Sequence, residues 1–432
     1  MHYYSTNKQV ADVTLEEAVV TGLAADRGLY MPRTLKALPQ EFYDHIDEMT
    51  FQEIAFHVAE AFFGEDVPAD KLRTIVNDTL SFDTPVVPVS NNIYALELFH
   101  GPTLAFKDVG GRFMARLLSH FIQGREDKKV NVLVATSGDT GSAVANGFLG
   151  VPGIHVYVFY PKGKVSEIQE KQFTTLGQNI TAIEVDGCFD DCQALVKAAF
   201  MDEELNKRMK LTSANSINIA RFLPQAFYYF NAYAQLKRMG REKNMVVAVP
   251  SGNFGNLTAG LFGKHMGLPI KRFIAANNSN DIVYKYLQTG HYEPRASVCT
   301  IANAMDVGNP SNFARILDFF NNSHAAICQD LSGATYNDAQ IAACVKHVWE
   351  NDNYLLDPHG ACGYQALAEG LQDGEVGVFL ETAHPAKFKD TIEHIIGQDI
   401  EIPAKLQAFM KGEKQSVQMP PTLEALKAYL MK

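Results

Sequence analysis

The chain of 432 residues has no apolar run approaching the roughly 20 residues that span a bilayer, so no membrane helix is expected. The start, Met1-His2-Tyr3-Tyr4-Ser5-Thr6-Asn7-Lys8, lacks the basic and then apolar pattern of a signal peptide, and a cytoplasmic location is expected. Positive charge is in short supply: 38 Lys and Arg stand against 49 Asp and Glu, a formal net charge of -11. Sequence-independent nucleic-acid binding is thereby disfavoured, because it needs a basic surface to displace phosphate counterions. An anionic substrate must meet a local cluster of cations instead. Cysteine is sparse and scattered, with Cys188 and Cys192 as the only close pair, at helical C-x-x-x-C spacing. Neither a disulfide scaffold nor a metal site is implied. Internal repeats and low-complexity tracts are missing, as are the lysine of a P-loop and a G-x-G-x-x-G run, which disfavours nucleotide binding.

What is present is an alternation of short β-branched runs with helical patterns. Val130 to Ala135, Ile154 to Tyr160, Ile180 to Val185, Met245 to Pro250, Lys271 to Ala276 and Gly377 to Glu381 read as strands. Their near-continuous hydrophobicity suits strands buried on both faces, which predicts an α/β fold with largely parallel sheets and helices on both sides. The length is too great for one ordinary core, so two domains with a smaller further segment are expected. The first ninety or so residues show helical patterns around Leu15 to Leu23 and Phe51 to Phe63 without a convincing strand. The stretch Lys411 to Pro421 reads as a linker to a short C-terminal helix.

Lys107 closes the run Phe99-His100-Gly101-Pro102-Thr103-Leu104-Ala105-Phe106-Lys107-Asp108. Apolar positions at Val109, Phe113, Met114, Leu117, Leu118 and Phe121 then recur at helical spacing, which puts Lys107 just before a helix N-terminus. A lysine among apolar and glycine neighbours suits a nucleophile toward an aldehyde, since only the neutral amine attacks. The alternative is a surface lysine paired with Asp108. Ser251-Gly252-Asn253-Phe254-Gly255-Asn256 lies between the strand Met245 to Pro250 and the helical stretch Leu257 to Met266, an order that gathers backbone N–H groups and a positive dipole end for a phosphate. Read alone, it could equally be a tight turn. Thr136-Ser137-Gly138-Asp139-Thr140-Gly141, after Val130 to Ala135, could hold a carboxylate or simply cap the helix that follows.

In this order, the His100 to Asp108 run and the two glycine loops resemble fold type II pyridoxal-phosphate enzymes, and most closely the threonine synthase family. Gly22-Leu23-Ala24-Ala25-Asp26-Arg27-Gly28-Leu29-Tyr30-Met31-Pro32 is similar to the family's G-L-A-P-D-G-G-L-Y-x-P, departing at Ala25 and Arg27. Asn215-Ser216-Ile217-Asn218-Ile219-Ala220-Arg221 resembles N-S-I-N-W-x-R, with Ile219 for tryptophan, and Thr382-Ala383-His384-Pro385-Ala386-Lys387-Phe388 resembles T-A-H-P-A-K-F. The resemblance implies a tryptophan synthase β-like fold: two open parallel-sheet α/β domains with a mainly helical N-terminal segment. The expected segments are 1–92 at the N-terminus, 93–225 as the smaller domain region with the cofactor lysine and carboxylate loop, 226–410 as the larger cofactor-binding domain, and 411–432 as linker and helix.

The same resemblance implies roles for single residues. Lys107 would join covalently to the aldehyde of pyridoxal 5'-phosphate and then shuttle protons. Gly252, Asn253, Phe254, Gly255 and Asn256 would bind the cofactor phosphate, Asp139 would stand by its ring oxygen, and Thr382 would face its pyridine nitrogen. A hydroxyl there, unlike a carboxylate, does not stabilise a protonated ring. Ser137 and Thr140 would hold the substrate α-carboxylate; Ser216, Asn218 and Arg221 would form the substrate-phosphate pocket. His100, His359 and His384 sit in Gly/Pro-rich loops where backbone positioning and proton transfer both stay open. The implied reaction is a lyase conversion of O-phospho-L-homoserine and water into L-threonine and phosphate, by a monomer or homodimer without nucleic-acid or membrane partners. The rival readings are a threonine or serine dehydratase, a phospho-lyase giving 2-oxobutyrate, and a cofactor-binding homologue without turnover.

Overall fold

The computed structural model describes residues 1–124 and 129–431. Residues 125–128, within the expected 93–225 segment, and Lys432, at the end of the expected C-terminal helix, lie outside the described residues. Two compact units each gather non-consecutive stretches of chain. The larger holds Met1, Met31–Phe106 and Phe222–Glu401; the smaller holds His2–Tyr30, Lys107–Arg221 and Ile402–Lys432.

The smaller unit carries a five-stranded, all-parallel sheet in the order Val417–Met419, Ile180–Val185, Ile154–Pro161, Val130–Ala135, Lys210–Ser213. The three middle strands are the expected hydrophobic runs. Phe159 packs in a core with Leu195, Val196 and Ala199 of helix Phe189–Met201, whereas its neighbour Val158 meets Gly141 of helix Asp139–Phe148. Adjacent strand residues point to opposite faces, so these helices cover the two sides of the sheet and bury its strands on both. The stretch Lys411 to Pro421 is more than a linker: its Val417–Met419 forms an edge strand, Val417 pairing with Ile183, before helix Leu423–Leu430. An edge strand bonds on one side only, and three residues carry no alternation signal.

At the start of this unit, helix Leu15–Thr21 opens with a capping box, Thr14 and Glu17 bonding each other's backbone. Asp26 accepts from the Ser5 hydroxyl at 2.6 Å and from the Gly28 N–H at 2.9 Å, which fixes the turn that contains Arg27. Arg27 has φ +68°, where the family sequence carries glycine.

The larger unit carries a six-stranded sheet in the order Leu331–Thr335, Ile270–Asn277, Met245–Pro250, Val376–Glu381, Ile93–Glu97, Val86–Ser90, parallel except for the last pair. Helix Phe51–Phe63 matches its expected range and begins at the Thr50–Glu53 capping box. The first ninety residues are not free of strands: Tyr3–Ser5, Tyr30–Pro32 and Val86–Ser90 are extended. No described helix is long and apolar enough to cross a membrane.

Candidate active site

In the larger unit, parallel strands end level with one another: Ala276 pairs with Pro250, Phe379 with Ala248, and Glu381 with Glu97. The loops that leave them emerge side by side at the carboxyl edge of the sheet, where open α/β sheets bind ligands. Ser251 is fixed there by its N–H to the Ala276 carbonyl at 2.9 Å and by its own carbonyl, which accepts from Asn277 Nδ2 at 2.8 Å. Gly252 leaves no room for a side chain, since a Cβ would lie 2.7 Å from the Ala304 oxygen and 2.8 Å from Met305 Cα. Phe254, at φ +62°, turns the chain into helix Gly255–His265. The first amides of that helix have no intrahelical acceptor, and with the positive dipole end they suit an anion. Asn256 lies in the same first turn; its Oδ1 accepts from the hydroxyls of Tyr228 and Tyr229, while its Nδ2 is buried with no hydrogen-bond partner among the described residues.

Thr382, 6% exposed, follows the neighbouring strand. Its carbonyl accepts from the Phe106 N–H at 2.8 Å, the Glu381 carbonyl from Leu98 N–H at 3.0 Å, and the Leu104 carbonyl from His384 N–H at 3.1 Å. Lys387 Nζ adds a bond to the Thr103 carbonyl at 2.9 Å. The run that leads to Lys107 is therefore stitched to the Thr382 segment, and Leu104 takes φ +57° within it. Non-glycine residues in that region cost about 1–3 kcal/mol each and cluster at functional sites.

Asp357 organises the other side of Thr382. Its Oδ1 accepts from the N–H groups of His359 and Gly360 and from His359 Nδ1, and its Oδ2 from Ala383 N–H at 3.0 Å. His359 Nε2 in turn accepts the Ala304 N–H at 3.1 Å. With one ring nitrogen donating and the other accepting, His359 is a positioning group. His384 Nδ1 accepts the Ala386 N–H at 3.1 Å, and burial, with His100 nearby, pushes its imidazole down to about 4. His100 Nε2 lies 2.7 Å from Glu97 Oε2. Burial, and then the charge of Asp357, push the Glu381 carboxyl well above the usual carboxylate range.

In the smaller unit, Lys107 is the first residue of helix Lys107–Ile122, at the positive end of its dipole. A Cβ on Gly111 would meet the Ala143 oxygen at 2.8 Å, and one on Gly147 would meet the Gly111 carbonyl carbon at 2.9 Å. Glycine thus lets helices Lys107–Ile122 and Asp139–Phe148 approach closely, Gly111 lying against both Ala143 and Gly147. Within the Thr136–Gly141 loop the Thr136 hydroxyl oxygen accepts from Gly138 N–H at 2.9 Å and Gly141 N–H at 2.8 Å, and Asp139 Oδ1 accepts from Gln169 Nε2 at 2.9 Å. Ser137 and Thr140 are half-buried.

Gly110 of the Lys107 helix abuts Arg221, whose carbonyl oxygen fills the space a Cβ would need and whose Nε would lie 3.2 Å from it. Arg221 is 2% exposed and donates from Nη1 to the Ala214 carbonyl at 2.7 Å. Burial pushes its guanidinium down to about 10, offset in part by Asp108, so it remains a cation at neutral pH. Ser216 is half-buried. Asn218 is wholly buried: Nδ2 donates to the carbonyls of Val19 at 2.9 Å and Ser213 at 3.2 Å, and Oδ1 accepts from Ala220 N–H at 3.0 Å. Its amide holds the turn that presents Arg221.

Family models describe three matching stretches: threonine synthase N terminus at residues 2–80, pyridoxal-phosphate dependent enzyme at 79–382, and threonine synthase C-terminal at 360–430. The threonine synthase of Haemophilus influenzae is 45% identical over 432 residues, covering 100% of both chains. The chain belongs to the threonine synthase family. The crystal structure of the Escherichia coli threonine synthase matches with a TM-score of 0.94 at 44% identity, over 100% of this chain and 99% of that one. The pyridoxal-phosphate-bound threonine synthase of Brucella melitensis matches with a TM-score of 0.93 at 34% identity, over 100% and 98%. The family is one of fold type II pyridoxal-phosphate enzymes.

The residues present fit that cofactor. A phosphate supplies the acceptor that the buried Asn256 Nδ2 lacks among the described residues, and Gly252 keeps the approach to the loop clear of a side chain. Sequence reading missed Asp357, Gln169 and the Tyr228–Tyr229 pair. Only Asp357 has a local signal, an acidic residue before Pro358 at a helix start; the others act through tertiary approach.

Proposed function

We propose that the chain converts O-phospho-L-homoserine and water into L-threonine and phosphate, with Lys107 as the residue that carries protons. The observation that carries the substrate choice is the buried, charged Arg221 set against Gly110, one turn along the helix that begins at Lys107. A guanidinium there suits a phosphate ester, because its planar fork bonds two oxygens at once. Asn218 supports this by holding the Arg221 turn, and Ser216 adds a hydroxyl. Ser137 and Thr140 offer hydroxyls and helix-start amides to the α-carboxylate, with Asp139 held by Gln169.

The cofactor, when bound, supplies a ring that draws off the charge left as protons depart beside the amino group. Lys107, freed as an amine, takes the proton from Cα and then one from Cβ, which lets the γ-phosphate leave. It returns a proton at Cγ, water adds its hydroxyl at Cβ, and of the two protons left, one goes back to Cα and the other to the departed phosphate. The Ser251–Asn256 loop anchors the cofactor phosphate. The Thr382 hydroxyl would face the ring nitrogen, where, unlike a carboxylate, it would not favour a protonated ring. We place the enzyme in the cytoplasm as a monomer or homodimer; the negative composition and six cysteines outside any disulfide support the compartment.

The test is to incubate purified protein with O-phospho-L-homoserine and follow phosphate, threonine and 2-oxobutyrate together. Equal phosphate and threonine support the reading. Phosphate accompanied by 2-oxobutyrate and ammonia would make the protein a phospho-lyase instead.

A further inference from the structure

Asn256 is 7% exposed and stands in the first turn of helix Gly255–His265. An amide has an acceptor end and a donor end, and the neighbours decide which end faces where. Tyr228 and Tyr229, both with no exposed surface, bring their hydroxyls to 2.8 and 2.7 Å from Asn256 Oδ1. Those are the usual lengths of O–H···O bonds. The other acceptors within reach are farther, Gln225 Oε1 at 3.4 Å from the Tyr228 hydroxyl and the Asn256 carbonyl at 3.1 Å from that of Tyr229. Each hydroxyl proton therefore points at Oδ1. Burial raises both phenols well above their usual value, so they remain donors at any working pH.

With its oxygen pinned, the amide turns its Nδ2 away from the tyrosines. That nitrogen is buried and has no hydrogen-bond partner among the described residues. An unmet buried donor is unfavourable, so a ligand is the natural source of its acceptor. Beside helix-start amides and a positive dipole end, that acceptor is an anion.

We propose that Tyr228 and Tyr229 are positioning residues that aim the Asn256 side-chain amide at the cofactor phosphate. The inference rests on the cofactor reading above and deepens it: the loop binds through a side-chain donor as well as its backbone, and two residues outside the loop set that donor's direction. Without the hydroxyl protons nothing opposes a flip that presents the amide oxygen to the phosphate.

The experiment compares pyridoxal phosphate with pyridoxal, which lacks the phosphate, on the parent, on the double variant Tyr228→Phe/Tyr229→Phe, and on Asn256→Asp. Asn256→Asp keeps an acceptor for both tyrosines and so preserves the fold, but it sets a carboxylate against the phosphate. Hydrogen bonds to a charged group imply a loss of roughly 10–150-fold in pyridoxal phosphate affinity for either variant. Pyridoxal affinity and the melting temperature of Asn256→Asp should stay near the parent values, and the phosphorus resonance of the bound cofactor should shift in the double variant. Equal losses for both ligands would mean that the tyrosines only pack, and an unchanged pyridoxal phosphate affinity would mean that Nδ2 does not reach the phosphate; either overturns the inference. A parent protein that fails to retain pyridoxal phosphate would instead remove the cofactor reading beneath it.

Discussion

The backbone N–H of Phe106 donates to the carbonyl oxygen of Thr382 over 2.8 Å, and Lys107 is the next residue along the chain. The two sequence runs singled out for cofactor chemistry are thus joined main chain to main chain, with an antiparallel bridge between Ala105 and Ala383 beside that bond. The segment that leads to Lys107 is thus held by the segment that contains Thr382.

Replacing Thr382 separates a hydroxyl that tunes the cofactor from one that merely packs. A carboxylate within about 4–6 Å of the ring nitrogen would favour its protonation. Thr382→Asp should retain pyridoxal phosphate yet lose threonine formation and shift its residual turnover toward side products such as transamination. Thr382→Ser should be much milder. Product ratios for both variants under one condition decide it; equal damage with no change in partition would take Thr382 away from the ring.

Arg221→Lys keeps the charge and loses the fork. A fall of roughly 10–150-fold in kcat/KM for O-phospho-L-homoserine is expected, as for losing charge-assisted hydrogen bonds of about 1.5–3 kcal/mol. Cofactor absorbance should be unchanged. Kinetics equal to the parent would leave Arg221 as a structural residue that supports Ala214.

The parts legible in the sequence are those with local signatures. The long hydrophobic strands announce themselves because both of their faces are buried, and the glycine loops because tight turns and close approach demand those residues. In the two larger sheets Val86–Ser90, Ile93–Glu97, Lys210–Ser213, Leu331–Thr335 and Val417–Met419 were missed; all but Ile93–Glu97 lie at sheet edges, where one partner strand suffices, and Ile93–Glu97 is an interior strand of five residues beside the edge strand Val86–Ser90. Chain crossings between the compact units at Phe106–Lys107 and Arg221–Phe222 carry no composition change. In the candidate site, residue type pointed to Lys107 and Arg221. No pattern along the chain could show that the Asn218 amide is taken up by Val19, or that His359 holds Ala304, since both depend on partners far away in sequence.

His384 predicts an acid limb in stability. Its folded value of about 4 lies below the ordinary value of 6.5, so the unfolded chain binds the extra proton first. The contribution is complete above about 6.5 and is lost as pH falls toward about 4. Glu381 works the other way: its raised value gives a contribution present below the ordinary carboxylate range and lost as pH rises through the folded value. His384→Asn keeps an acceptor for the Ala386 N–H and removes the titration. Denaturation midpoints between pH 7 and 4 should fall less for His384→Asn than for the parent; parallel curves would show that His384 titrates normally.

Arg27→Gly should stabilise the protein. The left-handed conformation costs an L-residue about 1–2 kcal/mol, and glycine returns about 0.4–1 kcal/mol through the freedom of the unfolded chain, leaving a gain of roughly 0–1.5 kcal/mol. Urea denaturation of the two proteins measures it. A clear loss of stability would mean that the Arg27 side chain contributes contacts worth more than the backbone strain.

The most direct test of the account is to reduce the holoenzyme with borohydride and map the pyridoxyl label by peptide mass. The label should fall on the peptide that contains Lys107, and the Lys107→Ala protein should lose both label and turnover while retaining some cofactor through the Ser251–Asn256 loop. A label on another lysine, or near-parent turnover by Lys107→Ala, would contradict the assignment of Lys107 and the mechanism built on it.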